Sequence, residues 1–201
     1  MRFLLYLLRH PADGFWEIKH ENKGKLRVAL GILLAVLLSE ILKRQTTGFI
    51  FNDNYNVPLD IFFQIRLLIL PVFLFCISNW ALTTLMDGKG TFSEIFIVLC
   101  YSFLPMIFFN VLYSLLSNVF SLSDFAYLAL INVLGIGWTC LMLFIGIQVI
   151  HEYSFGKMLL TTLLTVLSAA VVIFICLLFF SLLQEMGNFI YSIYREISLR
   201  I

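Results

Sequence analysis

The sequence predicts an all-α fold: a polytopic membrane bundle of five transmembrane helices with amphipathic interfacial N- and C-terminal segments. Three observations carry this reading. Apolar stretches at about 26–42, 67–86, 92–116, 125–150 and 158–183 come close to or exceed the roughly 20 residues that a helix needs to cross a hydrocarbon core. Only a helix satisfies its own backbone polar groups there. The 201-residue chain is 61% hydrophobic and 12% charged, with a mean hydropathy of +0.99, whereas soluble domains carry about 25% charged residues. After the second stretch the connections between the apolar stretches are short and polar. Residues 1–201 therefore form one domain with no room for a separate soluble one. The net charge of +1 gives no basic surface for nucleic acid, so the partners expected are membrane lipids and other integral membrane proteins.

The chain begins with an apolar run over residues 3–8, but Arg9 and His10 follow where a signal peptide would place small residues for cleavage. Residues 1–25 are read instead as a cytoplasmic interfacial segment, with Pro11 opening a helical turn and Phe15, Trp16 and Ile18 as apolar anchors beside Lys19 and His20. Five crossings put Arg2, Arg9, Lys19, Lys23, Lys25, Arg27, Lys89 and Lys157 on one side, and Lys43, Arg44, Arg66, Arg195 and Arg200 on the other. Eight basic residues against five predict a cytoplasmic N-terminus and an external C-terminus.

In the first span, Gly31, Ala35 and Ser39 fall four apart, a small-xxx-small face that lets a neighbouring helix approach. Glu40 lies near the far end, followed by Lys43 and Arg44. A turn-rich connector over 45–56 and an amphipathic lead-in over 57–64 bring Arg66 to the same predicted level, so a structural Glu40–Arg66 ion pair is expected. Pro71 and Pro105 are candidate kinks, because each removes an intrahelical donor.

Polar and small residues recur at helical spacing along the remaining spans. Asn79 shares a face with Cys76 and Thr83, and Asn110 with Ser114 and Ser117. Asn132, Gly135, Thr139 and Gly146 follow in the fourth span, then Thr161, Thr165 and Ser168 in the fifth. Such faces turn toward each other and form interhelical hydrogen bonds worth about 0.6 kcal/mol each. Asn79, Asn110, Asn132, Gly135, Thr139 and Thr165 are thus expected to form a helix-packing polar face. The alternative is a small transporter or channel, with Asn79, Asn110, Asn132 and Gln148 lining a polar path.

The turns at 87–91, 121–124 and 151–157 are polar, and Ser123 or Asp124 is suited to cap the following helix. Cys76, Cys100, Cys140 and Cys176 fall one to each of the second to fifth spans without metal-ligand spacing, and His10, His20 and His151 lie in separate segments. The chain thus presents no catalytic constellation, metal site or cofactor motif. Residues 184–201 continue as an amphipathic C-terminal helix in which Ile190, Ile193, Tyr194, Ile197 and Ile201 recur at helical spacing. Ile193 and Ile197 are the expected partner-docking positions.

His10-Pro11 through Gly14-Phe15 and Glu17-Ile18, the segment Leu82–Met86 running into Asp87-Gly-Lys-Gly-Thr-Phe92, and Tyr101-Ser-Phe-Leu-Pro105 together resemble the Yip-domain family, five-span membrane proteins named for interaction with Ypt/Rab GTPases. The N-terminal part is closest to bacterial members. The acidic-Leu-x-Gly-Pro motif and the long cytoplasmic region of eukaryotic members are missing, so GTPase binding is not carried over. The resemblance implies a non-enzymatic scaffold or accessory subunit in a bacterial cell membrane, associated with other membrane proteins such as transporter subunits. A homo-oligomer is compatible with it.

Overall fold

The computed structural model describes residues 2–21, 23–52 and 56–198, the side chains of Arg2 and Ile197 excepted. It is 86% helix, and the described residues contain no strand. The chain forms α1 (Arg2–Arg9), α2 (Pro11–His20), α3 (Leu26–Thr46), α4 (Ile61–Leu85), α5 (Phe92–Ser102), α6 (Leu104–Ser117), α7 (Phe125–His151) and α8 (Phe155–Ser198).

The tail read as interfacial packs onto the bundle. Proline holds the residue before it out of the helical region and suits the first position of a helix, so the chain breaks at His10 and restarts at Pro11. α1 folds back on α2, and Leu7 is buried against Gly14, where a β-carbon would come within 2.4 Å of its Cδ1. α2 then lies along α7 and buries Phe15 and Ile18. Leu7, Phe15 and Ile18 are thus covered by protein, whereas Leu5, Tyr6 and Trp16 stay exposed.

α3 runs from the end of the bundle that holds the tail to the opposite end, packing on α5 and α6. It buries Ala29, Ile32, Leu33, Val36 and Ser39. This face is rotated from the expected small-residue face: Gly31 is exposed and nothing lies within 4 Å of a β-carbon placed there. Larger apolar side chains on the neighbouring stripe bury more surface, and they set the orientation.

Asp60 caps α4 by accepting a hydrogen bond from the Phe63 N–H at 3.1 Å. Pro71 sits inside that helix without ending it. Pro105 has the stronger effect. The expected single span 92–116 is two helices divided at Phe103, with Pro105 in the first turn of α6, because the proline nitrogen cannot donate to the preceding turn. α5 starts from a capping box in which Thr91 and Glu94 each bind the other's backbone N–H. From Ile95 to Ser102 every residue of α5 is buried, making it the centre of the core.

Four stretches among the described residues are long and apolar enough to cross a membrane: Ile61–Leu85, Phe92–Ser117, Leu122–His151 and Phe155–Glu196. α3 has the length but carries Arg27, Glu40, Lys43 and Arg44. α8 is a single 44-residue helix, about 66 Å long at 1.5 Å per residue. It pairs with α4 through its first turns, and from residue 173 onward its described side chains are exposed.

Candidate binding site at the far end of the bundle

The last turns of α3 place Ser39, Lys43 and Thr46 four and three residues apart, and α6 places Asn110, Ser114 and Ser117 at the same intervals. Side chains so spaced share a helix face, and here the two faces meet. The Asn110 Nδ2 donates to Ser39 Oγ at 3.2 Å and to Glu40 Oε1 at 2.8 Å. Its Oδ1 accepts from Lys43 Nζ at 3.2 Å. Lys43 Nζ also donates to Asn132 Oδ1 of α7 at 2.8 Å and stands 4.7 Å from the Tyr113 ring centroid.

Further along the seam, the Thr46 and Ser114 hydroxyls bond each other. The Gly48 N–H donates to Ser117 Oγ at 3.0 Å, and Asn118 Nδ2 to the Thr46 carbonyl at 2.7 Å. One lysine therefore ties three helices together, and one asparagine mediates between its ammonium and the Glu40 carboxylate. Beside this cluster is a cavity of about 500 Å³ lined by Glu40, Lys43, Arg44, Thr47, Phe51, Phe63, Gln64, Leu67 and Asn132, among others.

The expected Glu40–Arg66 pair is not among the ion pairs of the described residues. Glu40 turns to Asn110, while Arg66 is exposed on α4 beside Phe63, Leu67, Leu70 and Pro71. α3 packs mainly on α5 and α6; Phe63, Gln64 and Leu67 of α4 share a cavity with Glu40, but Arg66 lines the neighbouring groove instead. Lys43, not Arg66, is the cation linked to Glu40, and the link runs through Asn110. The legible signal was spacing: Asn110 and Asn132 each stand seven residues from the far end of their helix, level with each other.

The other named residues are distributed as follows. Asn79 is at the opposite end, accepting from His151 Nε2 at 3.2 Å and donating to Thr165 Oγ1 at 3.2 Å. The Gly90 N–H occupies His151 Nδ1 at 3.2 Å, which leaves the ring proton on Nε2 for Asn79. Gly135 lies against Phe109, where a β-carbon would meet Phe109 Cβ at 2.7 Å. Thr139 Oγ1 is buried and has no hydrogen-bond partner among the described residues. Gln148 lines a third location with Trp16 and His20. Along α7, Asn132 and His151 are nineteen residues apart, about 28 Å, with the apolar residues Val36, Leu99 and Met142 in the core between the two ends. The four Asn and Gln residues do not converge on one path. Ile193 is exposed on α8, and the Ile197 side chain lies outside the described residues.

Charge closes the tail-side end. Glu152, held in the left-handed region at φ 55°, receives Lys19 at 2.8 Å and Lys89 at 2.5 Å. Those two ammonium groups hold its carboxyl at about 2, well below the usual carboxylate range. Lys19 also donates to the Ile150 carbonyl at 2.6 Å, and Tyr153 donates to the Met86 carbonyl at 3.0 Å. The tail and the two turns thus form one junction. Among the described residues no three His, Cys, Asp or Glu side chains gather as a metal-ligand set.

A helical bundle with four stretches long and apolar enough to cross a membrane, joined by hydrogen-bonded interhelical seams, defines the class as that of an integral membrane protein. The Yip1 domain family model matches residues 5–180, and the chain belongs to that family. No curated protein and no solved structure matches it.

Proposed function

We propose that this Yip1-domain protein is a non-enzymatic scaffold or accessory subunit of the bacterial cell membrane, binding other integral membrane proteins such as transporter subunits. The observation that carries this reading is α8. At about 66 Å it is twice the length that a hydrocarbon core of about 30 Å requires. More than twenty residues at its end are exposed, with Phe189, Ile190, Ile193 and Tyr194 among them. Apolar surface carried past the bilayer on a rigid helix calls for a protein partner.

α3 makes the fifth crossing in this reading. Its 21 residues span about 31 Å, and two of its charges, Glu40 and Lys43, are met inside the bundle by Asn110 and Asn132 rather than by lipid. Five crossings place the N-terminus in the cytoplasm and the C-terminus outside, in line with the basic residues gathered at the tail-side junction. The scattered Asn and Gln residues favour packing over a conducting path.

Ile190→Glu combined with Ile193→Glu should release the stoichiometric companion that copurifies from native membranes, while the variant keeps its melting temperature within about 2 °C. An unchanged companion at unchanged stoichiometry contradicts docking through α8.

A further inference from the structure

The polar cavity beside Lys43 adjoins a second, mainly apolar groove that Arg66 also lines. Phe63 and Leu67 line both, and the groove of about 340 Å³ runs on past Leu70 to Pro71, about 12 Å further along α4. The two together have the shape of an amphiphile, with a charged chamber at one end and an apolar channel leading from it along the face of a membrane helix.

The chamber's charge is set by three groups. Glu40 is held by Asn110, which also accepts from Lys43. Lys43 has no carboxylate within ion-pair distance among the described residues and meets only neutral amide oxygens and an aromatic face. Two of its three N–H donors are used by the asparagines, leaving one for a ligand. Arg44 donates to the Val57 and Pro58 carbonyls from one nitrogen, at 3.3 and 3.4 Å, and its planar fork has further donors suited to phosphate oxygens.

Lys43 is also set below the end of the bundle. Both asparagines that hold it are seven residues, about 10 Å, inside the ends of α6 and α7. An ammonium at that depth, which water reaches through the cavity, still gains from an anionic partner that enters there. A volume of about 500 Å³ is within the usual range for small-ligand sites.

We propose that this composite site binds an anionic phospholipid, its phosphate between Lys43 and Arg44 and one acyl chain in the groove from Phe63 to Pro71. The shared chemistry with free phosphate is the tetrahedral anion, and the groove is what selects the lipid. This site is independent of the docking proposed for α8, since the two use different helices and different chemistry.

The test is ligand-induced thermal stabilisation of the full chain in lipid-free detergent, titrated separately with dihexanoyl phosphatidic acid, dihexanoyl phosphatidylcholine and sodium phosphate. Phosphatidic acid should give a saturable rise in melting temperature with an affinity at least tenfold tighter than either of the others. Arg44→Gln, whose side chain closes none of the interhelical seams, should weaken it at least fivefold. Leu67→Trp, which blocks the junction of chamber and groove, should weaken the lipid without creating affinity for phosphate. Lys43→Arg should retain binding, which separates loss of charge from loss of fold. Equal affinity for phosphatidylcholine, or saturation by sodium phosphate as tight as by the lipid, overturns the proposal. So does wild-type affinity in the Arg44→Gln and Leu67→Trp variants.

Discussion

Replacing Asn110 with leucine should lower the melting temperature of the detergent-solubilised protein by about 6–12 °C. Asn110 is nearly isosteric with leucine and 3% exposed, so the change leaves little empty volume. The cost is electrostatic. Asn110 accepts from the Lys43 ammonium and donates to the Glu40 carboxylate, and bonds to charged groups contribute about 1.5–3 kcal/mol each. The neighbouring cavity admits solvent to both charges, which brings the expected total to about 3 kcal/mol. For a chain of this size that corresponds to roughly 2–4 °C per kcal/mol.

Asn132→Ala removes a single acceptor that Lys43 can replace with water in the cavity, and should cost about 1 kcal/mol. A thermal scan of both variants beside the parent checks the order. If Asn110→Leu melts within 2 °C of the parent, Asn110 is not holding these charges.

Gly146→Leu should be as damaging, for a steric reason. A β-carbon at Gly146 would lie 2.5 Å from Val98 Cγ1 and 3.1 Å from Phe15 Cζ. Val98 and Phe15 are both fully buried, so neither has space to yield. A whole leucine side chain must push α2 away from α7 or displace α5. Overpacking of this kind costs about 1–3 kcal/mol, and more when backbone has to move.

The same helix supplies the control. Gly137 is exposed and has nothing within 4 Å of a β-carbon, so Gly137→Leu should be neutral or stabilising by up to about 1 kcal/mol through helix propensity. Limited proteolysis separates them: Gly146→Leu should expose the tail near Lys19 and Lys23 to trypsin at lower temperature than the parent, and Gly137→Leu should not. Equal resistance in both variants contradicts the packing of α2 against α7.

The helical class and the rough limits of the long helices were legible because hydropathy reports solvent, and the solvent of most of this chain is lipid. Recurrence of Asn110 with Ser114 and Ser117 also marked the face of α6 that meets α3. Pairing across helices was not legible in the same way. Glu40 and Arg66 have suitable depth and opposite charge, but depth says nothing about angular position around a bundle, and α3 turns Glu40 toward α6. The first span shows the same limit, since Gly31, Ala35 and Ser39 have the spacing of a packing motif while Ile32, Leu33 and Val36 bury more surface one step around.

Local signals also differ in strength. Pro105 follows a break between α5 and α6 at Phe103, whereas Pro71 is absorbed within α4. The sequence leads one to expect a distinct amphipathic helix over 184–201, but a mid-helix glycine such as Gly187 costs only about 1 kcal/mol, and α8 runs through it. The junction of Lys19, Lys89 and Glu152 joins three segments distant in sequence, and no spacing rule connects them.

The number of crossings is the point on which sidedness, the role of α3 and the outward reach of α8 all depend. Epitope tags placed at each terminus of the full chain, probed with protease in sealed right-side-out vesicles and again after permeabilisation, measure it directly. The C-terminal tag should be cleaved in sealed vesicles and the N-terminal tag only after permeabilisation. Tags that are both protected, or both cleaved, before permeabilisation would mean an even number of crossings, with α3 not traversing the membrane.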